Sequence, residues 1–324
     1  MEYRTLGRTG LKVSAIGFGC GSIGGLLIRG EAATQRRTVA RAIEAGINYF
    51  DTAPSYGDGR SEETLGQVLR ELRAEVFVGT KLRVEPEQIP EAPAAIRRSL
   101  EASLRRLGRE RVDLIQLHNR IVTDGTEWRN GLPASAVLGT VLEGLRAVKD
   151  AGLARFIGCT GLGEPDAVRQ VVTSGALDTV QCYLNALNPS AGWPAAPSGE
   201  TDFGRLIDSA AAAGLAVLAI RVLAAGALAA RDARHPVAGD PGFPLVPGLD
   251  YASHVERARL LGGLASELGL EGPIELSLRM VLSHTGVSTA LVGFSDPSQL
   301  EDALRFAARG PLERSAVERV LQAG

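Results

Sequence analysis

The 324-residue sequence predicts an α/β fold of the (β/α)8 TIM-barrel class, with an N-terminal β-hairpin ahead of the barrel. Short apolar segments alternate along the chain with longer segments of helical periodicity, which is the pattern of strand–helix units. Most of the apolar segments do not alternate with polar residues, as is typical of parallel strands covered on both faces. Glycines such as Gly46, Gly108 and Gly152 follow the helical segments, where a residue with positive φ commonly ends a helix.

The elements follow one another at regular intervals from the N-terminus. Residues 3–13 predict a small hairpin with its turn at Arg8-Thr9-Gly10. The predicted barrel strands are residues 15–18, 47–51, 76–80, 112–118, 156–159, 179–182, 216–220 and 289–292. The predicted helices are residues 33–45, 61–72, 94–107, 135–151, 165–174, 202–213 and 254–268. Strands and helices in this order are what a closed parallel barrel requires.

One segment departs from the repeat. Residues 228–251 are rich in proline, glycine and alanine and have no periodicity, and loops of this length are usually functional or disordered. We interpret the segment as a flap near the mouth of the barrel, with a mobile surface insertion as the alternative. No stretch has the composition of a linker, so the sequence predicts a single barrel domain spanning residues 1–324.

Composition and charge limit the classes of partner. The formal net charge is −2 at pH 7, and proteins that bind nucleic acid usually present a basic face, so no nucleic-acid partner is expected. The apolar run at 210–220 is too short to span a bilayer, and no apolar segment follows Met1 as in a signal peptide. Three widely spaced cysteines suit free thiols in a reducing cytosol. We therefore expect a cytoplasmic protein without a membrane segment, and the oligomeric state stays open.

Four polar side chains lie at or just beyond the ends of three consecutive predicted strands. Asp51 ends the second strand, and Tyr56 follows five residues later in a loop that contains proline and glycine. Lys81 follows the third strand directly, and His118 ends the fourth. Because the carboxyl ends of parallel barrel strands converge on one mouth, these side chains are expected to form one site.

These residue types suit proton transfer to or from an oxygen that is becoming an alkoxide. An ammonium group beside a phenol stabilises the phenolate, and a carboxylate keeps the ammonium charged and oriented. A histidine beside the phenol can hold a carbonyl oxygen in place by a hydrogen bond. The other histidines, at positions 235, 254 and 284, lack the spacing of zinc ligands, so no metal site is predicted.

Each of the four residues also has a purely structural interpretation. Asp51 could cap the turn that follows it, and His118 could be a satisfied histidine of the core. Tyr56 could be an exposed loop aromatic, and Lys81 could be a solvated strand end. Their joint occurrence on the same end of three successive strands favours a functional site over four separate explanations.

A glycine pattern after the first barrel strand suggests a different fold. Residues 19–24 match G-x-G-x-x-G, the dinucleotide fingerprint of Rossmann folds. That fingerprint needs a helix at this point and an acidic residue about 20 residues further on. Gly25 and Gly30 discourage the helix, the next strand ends only at Asp51, and no Tyr-x-x-x-Lys spacing occurs. The Rossmann interpretation is therefore disfavoured.

Several motifs resemble those of the aldo-keto reductase family, and the resemblance covers nearly the whole chain. The motifs are residues 49–53 (Tyr-Phe-Asp-Thr-Ala), Tyr56-Gly57, Ser61-Glu62, Leu65-Gly66, residues 79–81 and residues 113–118. The resemblance implies a (β/α)8 barrel and a catalytic tetrad of Asp51, Tyr56, Lys81 and His118. It also implies hydride exchange between a nicotinamide cofactor and an aldehyde, a ketone or a sugar.

The same resemblance implies where the cofactor lies. Thr160 and Gln181 would hold the nicotinamide carboxamide, Arg221 would add positive charge near the pyrophosphate, and either Leu184 or Tyr183 would face the nicotinamide ring. The implied cofactor-binding residues are Gly19, Cys20, Asp51, Thr160, Gln181, Arg221, Leu223, Gly293, Ser295 and Gln299. The pair at positions 160–161 resembles a subgroup that oxidises aldoses at the anomeric carbon, in which Tyr56 as phenolate would act as the base.

Residues 293–300 resemble the part of that family's fold that surrounds the adenosine phosphate. This segment contains Ser295, Asp296 and Gln299 but neither arginine nor lysine. The 2′-phosphate of NADP is dianionic and favours a charge-assisted partner, although Ser295 and Gln299 could still hydrogen-bond a phosphate. We therefore predict NAD or NADP as the cofactor, with a preference for NAD.

Two other functions stay open at this point. The barrel could bind nicotinamide and report redox state to a partner protein, or Lys81 could form a Schiff base in a lyase, because one barrel fold hosts many functions. The substrate is expected to be set by the loops at residues 120–132 and 187–201, which contain Trp128 and Trp193. These aromatic side chains could line a pocket or simply anchor the loops.

Overall fold

Eight parallel strands close into a barrel, as the sequence predicts. The structure is a computed structural model, and it describes residues 1–126, 131–195, 198–231, 233–241 and 248–323. The strands are β1 Tyr3–Thr5, β2 Lys12–Ser14, β3 Ile16–Gly19, β4 Tyr49–Asp51, β5 Phe77–Leu82, β6 Val112–Leu117, β7 Arg120–Val122, β8 Gly131–Pro133, β9 Ala154–Thr160, β10 Thr179–Tyr183, β11 Ala216–Ile220 and β12 Val287–Gly293. The order around the barrel is β3-β4-β5-β6-β9-β10-β11-β12, and β12 pairs back to β3.

Helices cover the outside of the barrel. They are α1 Leu26–Arg29, α2 Ala32–Glu44, α3 Arg60–Leu72, α4 Ala92–Leu107, α5 Ala134–Ala136, α6 Leu142–Asp150, α7 Pro165–Thr173, α8 Leu206–Ala212, α9 Tyr251–Glu267, α10 Pro273–Ser283, α11 Pro297–Ala308 and α12 Arg314–Ala323. The main core is the layer of apolar side chains buried between the barrel and these helices. Among the described residues, none of the helices has both the length and the apolar character needed to cross a bilayer.

The predicted N-terminal hairpin is present and closes the amino end of the barrel. β1 pairs antiparallel with β2, and Gly10, at a φ of 72°, ends the turn between them. Leu6 and Leu11 are buried in one cluster with Tyr49, Leu114 and other side chains of the barrel strands. The barrel is therefore packed at this end, and the opposite end is left for a site.

The sequence pattern does not predict α10–α12 or the short β7–β8 sheet. In α10, most residues from Glu275 to Leu282 are buried, so the helix lacks the polar face that makes a 3.6-residue period visible. The predicted helix 135–151 is interrupted at Gly139, whose ψ of −118° is not helical. The predicted helix 202–213 begins only at Leu206, because Arg205 has left-handed backbone angles.

Glycine at position 66 lets α3 approach the end of α4. A β-carbon built on Gly66 would lie 2.3 Å from the carbonyl oxygen of Leu107, well inside van der Waals contact. We expect Gly66→Ala to lower the free energy of unfolding by about 1–3 kcal/mol, the usual cost of overpacking. The control is Gly263→Ala on α9, where no atom beyond the local helix backbone lies within 4 Å of the β-carbon position. That variant should be stabilised by roughly 0.5–1 kcal/mol, and equal effects in urea unfolding would contradict a close-packing role for Gly66.

Candidate active site

The barrel brings the four predicted catalytic side chains, Asp51, Tyr56, Lys81 and His118 (the tetrad), to its carboxyl end. Asp51 is the last residue of β4, Lys81 lies near the end of β5, and His118 directly follows β6. Tyr56 lies in the loop between β4 and α3, and its hydroxyl is 3.2 Å from the ammonium nitrogen of Lys81. The tyrosine ring meets the imidazole of His118 edge-on, with 6.0 Å between ring centroids. The four side chains therefore form one cluster.

Lys81 is buried, and each of its three N–H groups has an acceptor. The ammonium donates to a carboxylate oxygen of Asp51, to the carbonyl oxygen of Thr52 at 2.9 Å, and to the hydroxyl of Tyr56. Only 1% of the lysine side chain is exposed. An ammonium group has three donors and no acceptor, so this arrangement satisfies the charged form completely.

The same contacts decide the charge of Lys81. Burial by itself lowers the pKa of a lysine, but the carboxylate of Asp51 and the phenol of Tyr56 outweigh burial, and the pKa of Lys81 is raised above its ordinary value. The lysine is therefore cationic throughout the neutral range. It places a fixed positive charge beside the phenolic oxygen.

Gln181 connects the tetrad to the neighbouring strands. Its side-chain amide donates to the second carboxylate oxygen of Asp51 at 2.7 Å, so both oxygens of that carboxylate are engaged. The hydroxyl of Thr160 donates to the carbonyl oxygen of the same amide at 3.5 Å. Thr160 ends β9, Gln181 lies in β10, and both are buried. A chain of hydrogen bonds thus runs from Thr160 through Gln181 and Asp51 to Lys81.

A tight loop holds Tyr56 in place. The three residues that follow it, at positions 57–59, all have positive φ angles, which turn the chain sharply into α3. The hydroxyls of Thr52 and Ser61, on either side of the loop, share a hydrogen bond of 2.9 Å. Ser61 also donates to the carbonyl oxygen of Cys20 at 2.9 Å. The loop that carries the phenol is therefore tied to the barrel at its base.

His118 is a neutral imidazole near pH 7. Burial lowers its pKa well below the ordinary value, and the positive charges of Lys81 and Arg83 lower this pKa further. A neutral imidazole presents one N–H donor and one acceptor nitrogen. His118 can therefore donate a hydrogen bond to a carbonyl oxygen without adding a second charge to the site.

A cleft of about 820 Å³ lies over the carboxyl end of the barrel, within the size range of small-molecule sites. Tyr56 and His118 line this cleft. The predicted cofactor-binding residues that line it are Gly19, Asp51, Thr160, Gln181, Arg221, Leu223, Gly293, Ser295 and Gln299. Cys20 is instead buried beside the cleft, with its thiol sulfur 3.7 Å from the carbonyl oxygen of Phe18.

Neither residue considered for the nicotinamide face is among the described residues that line the cleft. Leu184 is fully buried, and Tyr183 stacks on Phe203 with 5.4 Å between ring centroids. The cleft wall at the end of β11 is Ile220, which is not among the predicted site residues. The signal that could have identified it is its position as the last residue of a barrel strand.

The described part of the 228–251 segment borders the cleft, in agreement with its interpretation as a flap. Arg234 donates to the carbonyl oxygens of Ala225 at 2.8 Å and Gly239 at 2.9 Å. Its guanidinium lies 5.0 Å from the ring centroid of Tyr251. The backbone N–H of Gly239 donates to the carbonyl oxygen of Ser22 at 3.1 Å. These contacts hold residues 233–241 against the loop after β3.

The glycines of the G-x-G-x-x-G segment line the cleft without forming a Rossmann unit. Gly19, Gly21 and Gly24 are lining residues, and the helix that follows, α1, has only four residues. A β-carbon on Gly24 would lie 2.5 Å from the backbone nitrogen of Phe294. Gly24 therefore allows this loop to pack closely on the chain that follows β12.

Of the two loop tryptophans, Trp193 lies within the described residues. Trp193 packs edge-on against His284, with 4.9 Å between ring centroids, and is not among the described lining residues of the cleft. It therefore anchors its loop. Trp128 lies outside the described residues.

The hydrogen-bonding side chains and the positive charge that line the cleft suit a dinucleotide. Thr160 and Gln181 place a hydroxyl and an amide next to the tetrad. Ser295, just before α11, and Gln299, on α11, also line the cleft. Arg221 also lines it and would add positive charge near a pyrophosphate. Among the described residues, no group of three or more histidine, cysteine, aspartate or glutamate side chains is arranged so that it could hold a metal ion.

Comparison with known proteins agrees with this description. The aldo/keto reductase family model matches residues 15–323. The chain is 30% identical over 311 residues to L-galactose dehydrogenase of Arabidopsis thaliana, covering 93% of this chain and 86% of that protein. It is 29% identical over 311 residues to aldo-keto reductase YhdN of Bacillus subtilis (strain 168), covering 93% and 87%.

The solved structures give the same result. Glycerol dehydrogenase AKR11B4 of Gluconobacter oxydans superposes with a TM-score of 0.71 at 26% identity, over 99% of this chain and 94% of that one. Aldo-keto reductase AKR11C1 of Bacillus halodurans has the same fold, with a TM-score of 0.73 over 100% of this chain and 96% of that one, at 23% identity. The family match, the relatives and the closed barrel lead to one conclusion: the chain belongs to the aldo/keto reductase family and is an NAD(P)-dependent oxidoreductase.

Proposed function

We propose that this enzyme moves a hydride between a nicotinamide and a carbonyl carbon, or the carbon of an alcohol or sugar hemiacetal, with Tyr56 exchanging the proton. The observation that carries the proposal is the position of the Tyr56 hydroxyl, 3.2 Å from the ammonium of Lys81. The other two donors of that ammonium are occupied by Asp51 and Thr52. A phenol in this position gains or loses a proton beside a fixed positive charge, which stabilises the phenolate.

Each residue then has one task. In reduction, Tyr56 donates its proton to the carbonyl oxygen as that oxygen becomes an alkoxide. In oxidation, its phenolate takes the proton from the substrate hydroxyl. His118, which is neutral and edge-on to the phenol, holds the same oxygen by an N–H donor. The nicotinamide, when bound, supplies or accepts the hydride, and Thr160 and Gln181 would hold its carboxamide.

The state of Lys81 argues against a Schiff-base lyase. Schiff-base chemistry needs a neutral amine that reaches the substrate. Lys81 is 1% exposed, has a raised pKa and donates to three acceptors. The site does not support a barrel that only reports redox state either, because binding alone does not require a buried charge pair beside a phenol.

We propose a small aldehyde, ketone or sugar as the substrate. The similarity to a protein named L-galactose dehydrogenase supports sugar oxidation, and the similarity to one named L-glyceraldehyde 3-phosphate reductase supports aldehyde reduction. The test is an absorbance screen with NAD and NADP, in both directions, against aldoses, aldehydes and ketones. Turnover of at least one class is expected. No turnover with either nucleotide across the panel would contradict the proposal.

We also propose NAD as the preferred nucleotide. One possible phosphate partner is already engaged, because the hydroxyl of Ser295 donates to the carbonyl oxygen of Gly24 at 2.6 Å. The backbone N–H of Ser295 is engaged as well, because it donates to the side-chain oxygen of Gln299 at 2.8 Å. Asp302, one helical turn after Gln299, also lines the cleft. The carboxylate of Asp302 pairs with Arg305 at 2.6 Å, and its own negative charge at the cleft disfavours a dianionic 2′-phosphate.

Replacing Asp302 tests this preference. Wild type should have the higher kcat/KM with NAD, and Asp302→Asn should raise the NADP-to-NAD ratio of kcat/KM by roughly fivefold. A fivefold change corresponds to about 1 kcal/mol, which is the interaction energy of two unit charges about 4 Å apart in water. The matched control is Glu301→Gln, which removes a neighbouring carboxylate that pairs with Arg41 at 2.7 Å and is not a described lining residue. A wild-type preference for NADP would reject the assignment.

We propose one barrel domain over residues 1–324 and a cytoplasmic location. All three cysteines are free and buried, which suits a reducing compartment.

A further inference from the structure

We infer that this enzyme prefers substrates that carry an anionic group, a carboxylate or a phosphate ester, and that Arg83 binds this group. The inference rests on the proposed oxidoreductase function and concerns the same cleft. Arg83 directly follows β5 and lines the cleft together with Tyr56 and His118. A guanidinium can bind a carboxylate or a phosphate by two parallel hydrogen bonds.

The backbone on both sides of Arg83 is fixed beside His118. The carbonyl oxygen of Leu82 accepts a hydrogen bond from the backbone N–H of His118 at 2.7 Å. The backbone N–H of Val84 donates to the side-chain oxygen of Asn119 at 3.0 Å, and the Asn119 amide donates back to the carbonyl oxygen of Val84 at 2.8 Å. Leu82, Val84 and Asn119 are all buried. Arg83 thus projects from a rigid rim, next to the histidine that would hold the reacting oxygen.

The positive charge at this rim is not neutralised by the cleft. Among the described residues that line it, the acidic ones are Asp51, which is paired with Lys81, and Asp302, which lies on α11. The charge of Arg83 also acts at the reacting centre. Burial lowers the pKa of His118 most, the charge of Lys81 lowers it further, and the charge of Arg83 is the third cause. An anionic substrate would therefore meet a favourable potential beside the tetrad.

Arg83 lies across the barrel from the expected cofactor phosphates. Counted around the eight strands, β5 is four positions from β11 and so belongs to the opposite wall. Three other arginines line the cleft in or after the turn that follows β11, at positions 221, 231 and 234. Of these, Arg221 is the one expected near the pyrophosphate, and Arg234 donates to the carbonyl oxygens of Ala225 and Gly239. Because Arg83 lies on the opposite wall, we assign its charge to the substrate.

The test uses pairs of substrates that differ in one charged group. Succinate semialdehyde is compared with butanal for the carboxylate, and glyceraldehyde 3-phosphate with glyceraldehyde for the phosphate. In wild type, the charged member of at least one pair should have the higher kcat/KM. This advantage should shrink as salt is raised, because salt screens an exposed charge pair.

Variants at position 83 show whether the arginine is responsible. Arg83→Gln should lower the charged-to-neutral ratio of kcat/KM by roughly tenfold, as expected for hydrogen bonds to a charged group. Arg83→Lys should restore part of the ratio because it restores the charge. The control is Arg314→Gln, which removes a 93% exposed side chain on α12. That variant should keep the wild-type ratio.

Binding measured without turnover separates this inference from the proposed function. Calorimetry with succinate and with glycerol 3-phosphate should show binding of at least one anion to the complex with oxidised nucleotide, weakened roughly tenfold in Arg83→Gln. Anion binding that depends on Arg83, with no turnover of any carbonyl, would refute the proposed function and leave the anion site standing. Equal substrate ratios in wild type and Arg83→Gln, or anion binding that does not depend on Arg83, would overturn the inference.

Discussion

Replacing Tyr56 with phenylalanine should lower kcat by roughly 10²–10⁴-fold, the usual contribution of general acid–base catalysis. The substitution removes one oxygen and keeps the ring, so the edge-on contact with His118 is retained. Lys81 loses one of its three acceptors but keeps Asp51 and Thr52. The loss should therefore appear in proton transfer, while the dissociation constant of the nicotinamide nucleotide changes little.

Steady-state rates and nucleotide binding by fluorescence give the two quantities separately. The matched control is Tyr3→Phe, which removes a hydroxyl that donates to the carbonyl oxygen of Gly46 at 3.0 Å in the hairpin region, away from the cleft. Tyr3→Phe should keep wild-type kcat. If Tyr56→Phe also kept it, the proton would come from another group and the proposed mechanism would fail. A large rise in the nucleotide dissociation constant would instead assign Tyr56 to binding.

The core of the site can be predicted from the sequence because its residues end apolar strands. Asp51, Lys81 and His118 each end or directly follow such a strand, and closure of a parallel barrel brings these ends together whatever lies between them. Thr160 also ends a strand in the structure, but only the family resemblance identifies it as a site residue. Local pattern and barrel geometry are enough for the first three residues, since neither depends on the details of the loops.

Contacts between particular side chains cannot be predicted in this way. The hydrogen bond from Gln181 to Asp51 joins residues that are 130 positions apart, and neither local segment indicates it. Arg83 follows a strand end as Lys81 does, but only the two hydrogen bonds between Val84 and Asn119 show that its backbone is fixed beside the tetrad. Tyr183 is within two residues of Gln181, yet its ring stacks on Phe203.

Replacing Lys81 with methionine should abolish turnover and also destabilise the protein. The buried carboxylate of Asp51 would then lack a cation and would keep only the side-chain hydrogen bond from Gln181. Removing one partner of a buried ion pair typically costs about 3–5 kcal/mol of stability. The double variant Asp51→Asn/Lys81→Met removes both charges and should recover most of the lost free energy of unfolding. Its turnover should stay absent.

The double variant separates a catalytic role of the pair from a structural one. Urea unfolding measures the free energy of unfolding, and the absorbance assay measures kcat on the same preparation. If both the free energy of unfolding and kcat recovered, Lys81 would act only by supporting the fold. If neither recovered, the unpaired carboxylate of Asp51 would not be the cause of the instability. We expect a stable and inactive protein, because in the proposed mechanism the phenolate of Tyr56 needs an adjacent positive charge. An amide and a thioether can fill the same volume but cannot supply that charge.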